Sequence, residues 1–121
     1  MIYIYLAIGG FTGAISRYLV LEVINNRKTS MFPWATLAVN VMGSFGLGFV
    51  VGQVGLERVV VDQSVLLTGG FLASFTTFST FSYELVSFWS RREIKLLVQY
   101  ILLTILGSGL LYSIGFFLGK L

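Results

Sequence analysis

The sequence predicts an all-α integral membrane protein, and two observations predict that class. Charged residues make up only 11% of the 121 residues, whereas soluble domains carry about 25%. Hydrophobic residues make up 56%, and the mean hydropathy is +0.90. So few charges cannot cover a water-exposed surface. The charged residues are also spaced so that four apolar segments of about 20 residues lie between them. A helix of this length crosses the hydrocarbon core of a bilayer.

The predicted transmembrane helices follow the gaps between charges. Their bounds are about 2–24, 32–54, 63–88 and 96–119. The first segment contains Arg17 and Glu22, and the second and fourth contain no charge. The third segment is uncharged between Asp62 and Glu84. Because the connections are short, neighbouring helices are expected to be antiparallel, and they form a single transmembrane domain over residues 1–121.

Composition also excludes several kinds of function. The chain has no cysteine and no histidine, so disulfides, Cys/His zinc sites and the usual histidine proton shuttle are excluded. No pattern of metal ligands or of nucleophile and base is present, and no enzyme is expected. The net charge of +3 fits basic loops beside a lipid bilayer better than a nucleic-acid-binding surface, so no nucleic-acid partner is expected.

A hydroxyl-rich run, Phe-Thr-Thr-Phe-Ser-Thr-Phe-Ser, occupies residues 75–82 inside the third apolar segment. Phe75, Phe78 and Phe81 recur every three residues and therefore lie along one side of the backbone, while five hydroxyls fill the remaining positions. Because hydrocarbon penalises unsatisfied polar groups, such a run needs internal partners or a polar passage. We interpret it as a functional site within the membrane.

Two polar side chains inside the predicted spans each have two interpretations. Arg17 either extends to the lipid headgroups or lies at the mouth of an aqueous vestibule, where it would attract anions. Asn40, near the middle of the second segment, either joins helices by hydrogen bonding or supplies its amide to a permeating anion, directly or by orienting another donor. The residues alone leave both questions open.

The fourth segment carries hydroxyls at Tyr100, Thr104 and Ser108, whose spacing of four residues places them on one helix face. This spacing favours a polar track, although Ser108 also fits helix packing and tyrosine is common at membrane interfaces. Phe78 and Phe81 would ordinarily face lipid or fill a core. Placed among hydroxyls, their positive ring edges would attract a small anion.

Three segments of the chain together resemble a known family. They read G-G-x-x-G-A-x-x-R-Y at 9–18, T-L-x-V-N-x-x-G-S at 36–44 and T-T-F-S-T-F-S-x-E at 76–84. With the hydroxyls of the fourth segment, they resemble the signature segments of the Fluc (CrcB) fluoride channels. The resemblance implies a passive, fluoride-selective channel that lowers cytoplasmic fluoride from the inner membrane. It also implies a dual-topology, antiparallel homodimer with two pores, in which the third helix is broken near its middle.

The same resemblance implies roles for individual residues. The fluoride-pore residues that it implies are Asn40, Phe78, Thr80, Phe81, Tyr100, Thr104 and Ser108. Arg17 would be the vestibule cation. The backbone carbonyls of Ala73 and Thr76 would hold a structural Na⁺ at the dimer centre, although the family usually has glycine at the first position. It commonly has serine where this chain has Thr104, and no firm role follows for Glu84.

Two other classes of protein remain as alternatives. A small dual-topology multidrug transporter of the four-helix type has a similar length, but it needs a carboxylate deep in its first helix. Here that helix offers only Glu22, near its end. A non-transporting assembly subunit would use every polar residue for packing and would conduct no ion.

Lysine and arginine are distributed unevenly between the two sides of the predicted four-span protein. The loops after the first and third helices hold five of them, at positions 27, 28, 91, 92 and 95. The opposite side holds Arg58 and Lys120. This bias favours both termini outside, whereas an antiparallel dimer needs both insertions. Dual topology remains our prediction.

Overall fold

The computed structural model describes residues 2–27, 32–55 and 63–121. Within these ranges the chain is helical and contains no strand. The five helices described are α1 (Ile2–Arg27), α2 (Trp34–Val54), α3 (Gln63–Phe75), α4 (Phe78–Ser90) and α5 (Ile94–Lys120).

Three of these helices, α1, α2 and α5, are long and apolar enough to cross a membrane. Helices α3 and α4 have 13 residues each, which at about 1.5 Å per residue is shorter than the hydrocarbon core of about 30 Å. Neither of them could therefore cross a bilayer alone. They follow one another directly, separated only by Thr76 and Thr77.

Helices α2 and α5 run parallel in close contact because glycines remove the side chains between them. A Cβ at Gly48 would collide with the backbone carbonyl of Tyr112, and one at Gly115 would collide with that of Phe45. Such reciprocal approaches let two backbones meet in lipid, where van der Waals contact drives helix association. Gly48 therefore packs within the protomer.

Helix α1 lies against α3 in the same manner. A Cβ at Gly13 would collide with the carbonyl of Phe71, and one at Gly70 would lie 2.9 Å from the carbonyl oxygen of Leu6. Helix α2 meets the end of α3 in the antiparallel sense. Gly43 faces Thr76 and Gly46 faces Leu72, so the middle of α2 lies beside the point where α3 ends.

Few of the side chains that the structure describes are fully buried between the helices. The largest of them are Val39, Phe88 and Tyr100. Large apolar side chains are exposed along α1, α2, α4 and α5, among them Phe11 and Leu106. An apolar exterior of this extent needs lipid or a partner subunit to cover it.

Candidate functional site

A cavity of about 530 Å³ opens where α2, α5 and the junction between α3 and α4 meet. Its polar lining residues are Asn40, Ser44, Thr76, Thr77, Thr104 and Ser108. Phe78 and Phe81 supply aromatic lining, and none of the described residues that line the cavity carries a charge. The fold thus brings the hydroxyl-rich run, the asparagine of α2 and two hydroxyls of α5 to one place.

Asn40 binds the backbone of the helix junction with both ends of its amide. Its Nδ2 donates to the carbonyl oxygen of Thr77 at 3.1 Å, and the Thr77 N–H donates to its Oδ1 at 2.8 Å. The pair satisfies the polar groups of the junction inside an apolar fold. Because the amide nitrogen has two hydrogens, one remains for the cavity that Asn40 lines.

The Asn40 contact also changes the bonding of the last carbonyls of α3. In a continuous helix the Thr77 N–H would donate to the Ala73 carbonyl, but here it donates to Asn40. The hydroxyl of Thr76 donates weakly to Ala73 at 3.4 Å. Ala73 itself needs no glycine-like backbone, since Arg92 is the one non-glycine residue of the described chain with a positive φ.

Thr77 begins α4 as its N-cap. Its hydroxyl accepts from the N–H of Thr80 at 3.2 Å and donates to the Thr80 hydroxyl at 3.1 Å. The N–H of Thr80 is therefore withdrawn from the carbonyl of Thr76, to which it would donate in an unbroken helix. Thr80 does not line the cavity. Its hydrogen bonds to Thr77 instead stabilise the turn that begins α4.

Phe78 and Phe81 lie on the same side of α4, with ring centroids 6.0 Å apart. Phe81 is half-buried and meets the ring of Tyr100 edge-on, at a centroid distance of 5.1 Å. Phe78 is 79% exposed although it is large and apolar. Its ring therefore extends beyond the protomer from the rim of the cavity.

Tyr100 does not line the cavity. The side chain is fully buried, and its ring meets Phe32, Phe81 and Phe88 edge-on. The regular spacing of hydroxyls on α5 thus continues into the protein interior, with Phe81 lying between Tyr100 and the cavity.

The Glu84 carboxylate accepts hydrogen bonds from two hydroxyls, those of Tyr100 and Thr36. Tyr100 donates to its Oε2 at 2.5 Å, and Thr36 donates to its Oε1 at 2.9 Å. Sequence reasoning assigned Glu84 no role. A signal was present, because Glu84 follows Thr80 by four residues and Thr77 by seven, which places all three on one face of α4.

Thr104 has a buried hydroxyl oxygen with no hydrogen-bond partner among the described residues. A threonine in a helix normally satisfies its hydroxyl on a carbonyl of the preceding turn, as Thr12 does here. Ser108, one turn later, also lines the cavity. The wall of α5 therefore offers hydroxyls that the protein itself does not use.

Arg17 lies on α1, and no described residue of α1 lines the cavity. Its side chain is half-buried. The ion pair found in the described part of the chain joins Arg91 to Glu93 and does not involve Arg17. The structure therefore does not bring the expected vestibule cation to the other site residues within one protomer.

Comparison with known proteins identifies the family. A family model described as CrcB-like protein, Camphor Resistance (CrcB), matches residues 4–116. The chain belongs to the CrcB family. A relative from Ligilactobacillus salivarius, named fluoride-specific ion channel FluC 1, is 40% identical over 98% of this chain and 99% of its own length. A protein of the same name from Halalkalibacterium halodurans is 45% identical, over 92% of this chain and 91% of its own.

A third CrcB relative, from Hahella chejuensis, is named fluoride-specific ion channel FluC and is 39% identical over 98% of this chain and 94% of its own length. These findings confirm the resemblance seen in the sequence. The names denote ion channels rather than enzymes, and the multidrug transporter is not favoured. With its three long apolar helices, this CrcB chain is a multi-pass membrane protein.

Proposed function

We propose that this CrcB protein is a passive, selective fluoride channel of the inner membrane and that the cavity beside Asn40 is one wall of its pore. Family membership supports the ion, and one observation supports the site. Asn40 lines the cavity, and its two hydrogen bonds to Thr77 hold the amide in place while leaving one amide hydrogen unused among the described residues.

Fluoride is small and strongly hydrated, so a narrow pore must replace its water with hydrogen-bond donors. The free amide hydrogen of Asn40 and the hydroxyls of Thr104 and Ser108 supply such donors. Hydroxyl hydrogens rotate to meet an acceptor, and the positive edges of Phe78 and Phe81 add attraction without hydration. A larger halide would fit this wall badly.

The pore needs a second copy of the chain. The cavity is open on one side, and the exposed ring of Phe78 lies on that rim. We propose that α3 and α4 form one broken span, which makes four spans in all. An antiparallel homodimer with dual topology would then close two equivalent pores, with Arg17 in the vestibule and Tyr100 and Thr80 as supports of the pore wall.

A structural Na⁺ belongs to the same proposal. The carbonyls of Ala73 and Thr76 lose the N–H donors that a continuous helix would give them, because the N–H groups of Thr77 and Thr80 donate to side-chain oxygens instead. Carbonyl oxygens are suitable ligands for a monovalent cation, so this donor set fits the ion. When bound, Na⁺ supplies positive charge that offsets the carbonyl end of α3 at the dimer centre.

Fluoride efflux from vesicles tests the proposal. Liposomes that contain the protein and potassium fluoride are diluted into fluoride-free buffer, and valinomycin is added to carry K⁺. We expect fast release of fluoride at a fluoride electrode, much slower release of chloride from matched vesicles, and no release from protein-free vesicles. Chloride efflux as fast as fluoride efflux would reject the selective channel.

A further inference from the structure

The connection between α4 and α5 forms a charged turn at one end of the bundle. We call Arg91, Arg92, Glu93 and Lys95 the basic turn. It lies outside the cavity lining and takes no part in the proposed pore. Arg91, Arg92 and Lys95 are exposed, and Glu93 is only partly buried.

Arg91 forms an ion pair with the one acidic residue of the basic turn. Its guanidinium lies 3.8 Å from a carboxylate oxygen of Glu93, and its Nε donates to the Ser87 carbonyl at 3.4 Å. The same guanidinium lies 5.4 Å from the ring centroid of Phe88. Arg91 is therefore held against the protein, and its charge is matched.

Arg92 and Lys95 remain as exposed cations without an ion-pair partner in the described ranges. Arg92 also has a φ of 58°, in the left-handed region that glycine adopts more readily. Glycine would make this turn with less backbone strain. The presence of arginine at a strained backbone position therefore suggests that its side chain has a function.

An exposed tryptophan, Trp89, lies next to the basic turn. The side chain is 66% exposed and lies in the last turn of α4. Tryptophan is enriched where hydrocarbon meets water, because its ring is apolar and its N–H is polar. Cations just beyond such a residue lie among phosphate groups.

We propose that Arg92 and Lys95 bind the phosphate of an anionic phospholipid, with Trp89 against the glycerol and acyl region of the same molecule. The unpaired charges of the turn complement the anionic headgroup. The apolar surface of α4 would contact the bilayer, from which the phospholipid comes. The ligand is therefore a lipid rather than a soluble anion, because a soluble anion would make no apolar contact with the exposed Trp89 ring.

Quenching of Trp89 fluorescence tests this proposal without any fluoride measurement. The chain has two tryptophans, so Trp34→Phe leaves Trp89 as the only reporter. The full-length protein is reconstituted in phosphatidylcholine vesicles that contain brominated phosphatidylglycerol or, at the same mole fraction, brominated phosphatidylcholine. We expect a relative affinity for phosphatidylglycerol of about fivefold for each unpaired cation, reduced by added salt.

Three variants in the same background complete the experiment. Arg92→Gln with Lys95→Gln should abolish the preference. Arg92→Gly relieves the backbone strain at this position and should keep the fold. The free-energy preference for phosphatidylglycerol should fall by about half, because one of the two unpaired cations is lost. Lys120→Gln is the control, since Lys120 lies at the opposite end of α5, over the ring of Phe116, and should keep the full preference. Equal quenching by the two lipids, or a preference that survives the double substitution, overturns the proposal.

Discussion

The amide of Asn40 and the backbone of Thr77 form a reciprocal pair of hydrogen bonds, at 3.1 Å and 2.8 Å, across 37 residues of sequence. The pair replaces the helical bonding that Thr77 gives up where α3 ends. It therefore joins two functions in one contact. It stabilises the helix junction, and it leaves one amide hydrogen of Asn40 unused among the described residues, at a position that lines the cavity.

Asn40→Asp should abolish fluoride efflux. The substitution places an acceptor oxygen against the Thr77 carbonyl, where Asn40 now donates, and it adds negative charge to an anion path. We expect flux to fall at least 100-fold, which corresponds to about 2.7 kcal/mol, as measured by the fluoride electrode. Asn26→Asp, the same change at the exposed end of α1, is the control and should conduct normally. Undiminished flux through Asn40→Asp would remove Asn40 from the pore.

Phe81→Ile should reduce fluoride efflux without changing the assembly state of the protein in detergent. Isoleucine is apolar and bulky, but it lacks the aromatic ring with which Phe81 lines the cavity, and an aromatic ring has a positive edge that attracts anions. Efflux from vesicles and the elution volume in detergent measure the two properties separately. Phe117→Ile, on an exposed ring of α5, should leave both unchanged. Full activity of the Phe81 variant would show that the ring edge is dispensable.

Thr104→Val should change stability and flux in opposite directions. Valine has the shape of threonine without the hydroxyl oxygen that is buried and unpaired here. Removing that oxygen should raise the free energy of unfolding by about 1 kcal/mol, because its desolvation is uncompensated in the ion-free protein. Fluoride efflux should fall, since a donor is lost.

Thr104→Ser is the matched variant, because it keeps the hydroxyl and removes only the methyl group. It should conduct at least as well as the parent chain. The two variants are compared by thermal unfolding in detergent and by fluoride efflux. If the valine variant conducts as well as the serine variant, the Thr104 hydroxyl does not face the ion.

Gly48→Ala should separate α2 from α5. The added Cβ would collide with the Tyr112 carbonyl, and overpacking of this kind costs about 1–3 kcal/mol. The melting temperature in detergent reports the loss. Gly109→Ala is the control within the same helix pair, because nothing lies within 4 Å of its Cβ position. It should be neutral or stabilising by up to about 1 kcal/mol. Equal melting temperatures for the two variants would contradict the close approach.

Removal of Na⁺ should lower the melting temperature. If the ion binds the folded dimer, a concentration 100-fold above its dissociation constant adds about 2.7 kcal/mol to stability. Unfolding is compared in sodium chloride and in N-methyl-D-glucamine chloride at equal ionic strength. Thr76→Val should keep the sodium effect, since it leaves the backbone carbonyls in place. Identical melting temperatures in the two salts would argue against a structural Na⁺.

The long helices and the polar segment could be predicted from the amino-acid sequence because transferring charged and polar groups into hydrocarbon costs much free energy. Apart from Arg17, which lies within α1, the charges lie near the ends of the long apolar segments, so α1, α2 and α5 could be expected from charge spacing alone. For the same reason the hydroxyl density of residues 76–82 indicated a site. Local residue types were sufficient for these inferences, since each depends on the cost of transferring one segment into lipid.

Only the tertiary structure decided which polar groups meet. The pairing of Asn40 with Thr77 and the two hydroxyls on Glu84 each join residues far apart in sequence. Periodicity places a hydroxyl on a helix face but does not tell whether a neighbouring helix satisfies it. That is why Tyr100 lies in the interior on Glu84, whereas Thr104 keeps an unpaired hydroxyl at the cavity. Hydrogen bonds depend on distances of a few ångströms, and those are set by how closely the glycine faces of the helices approach.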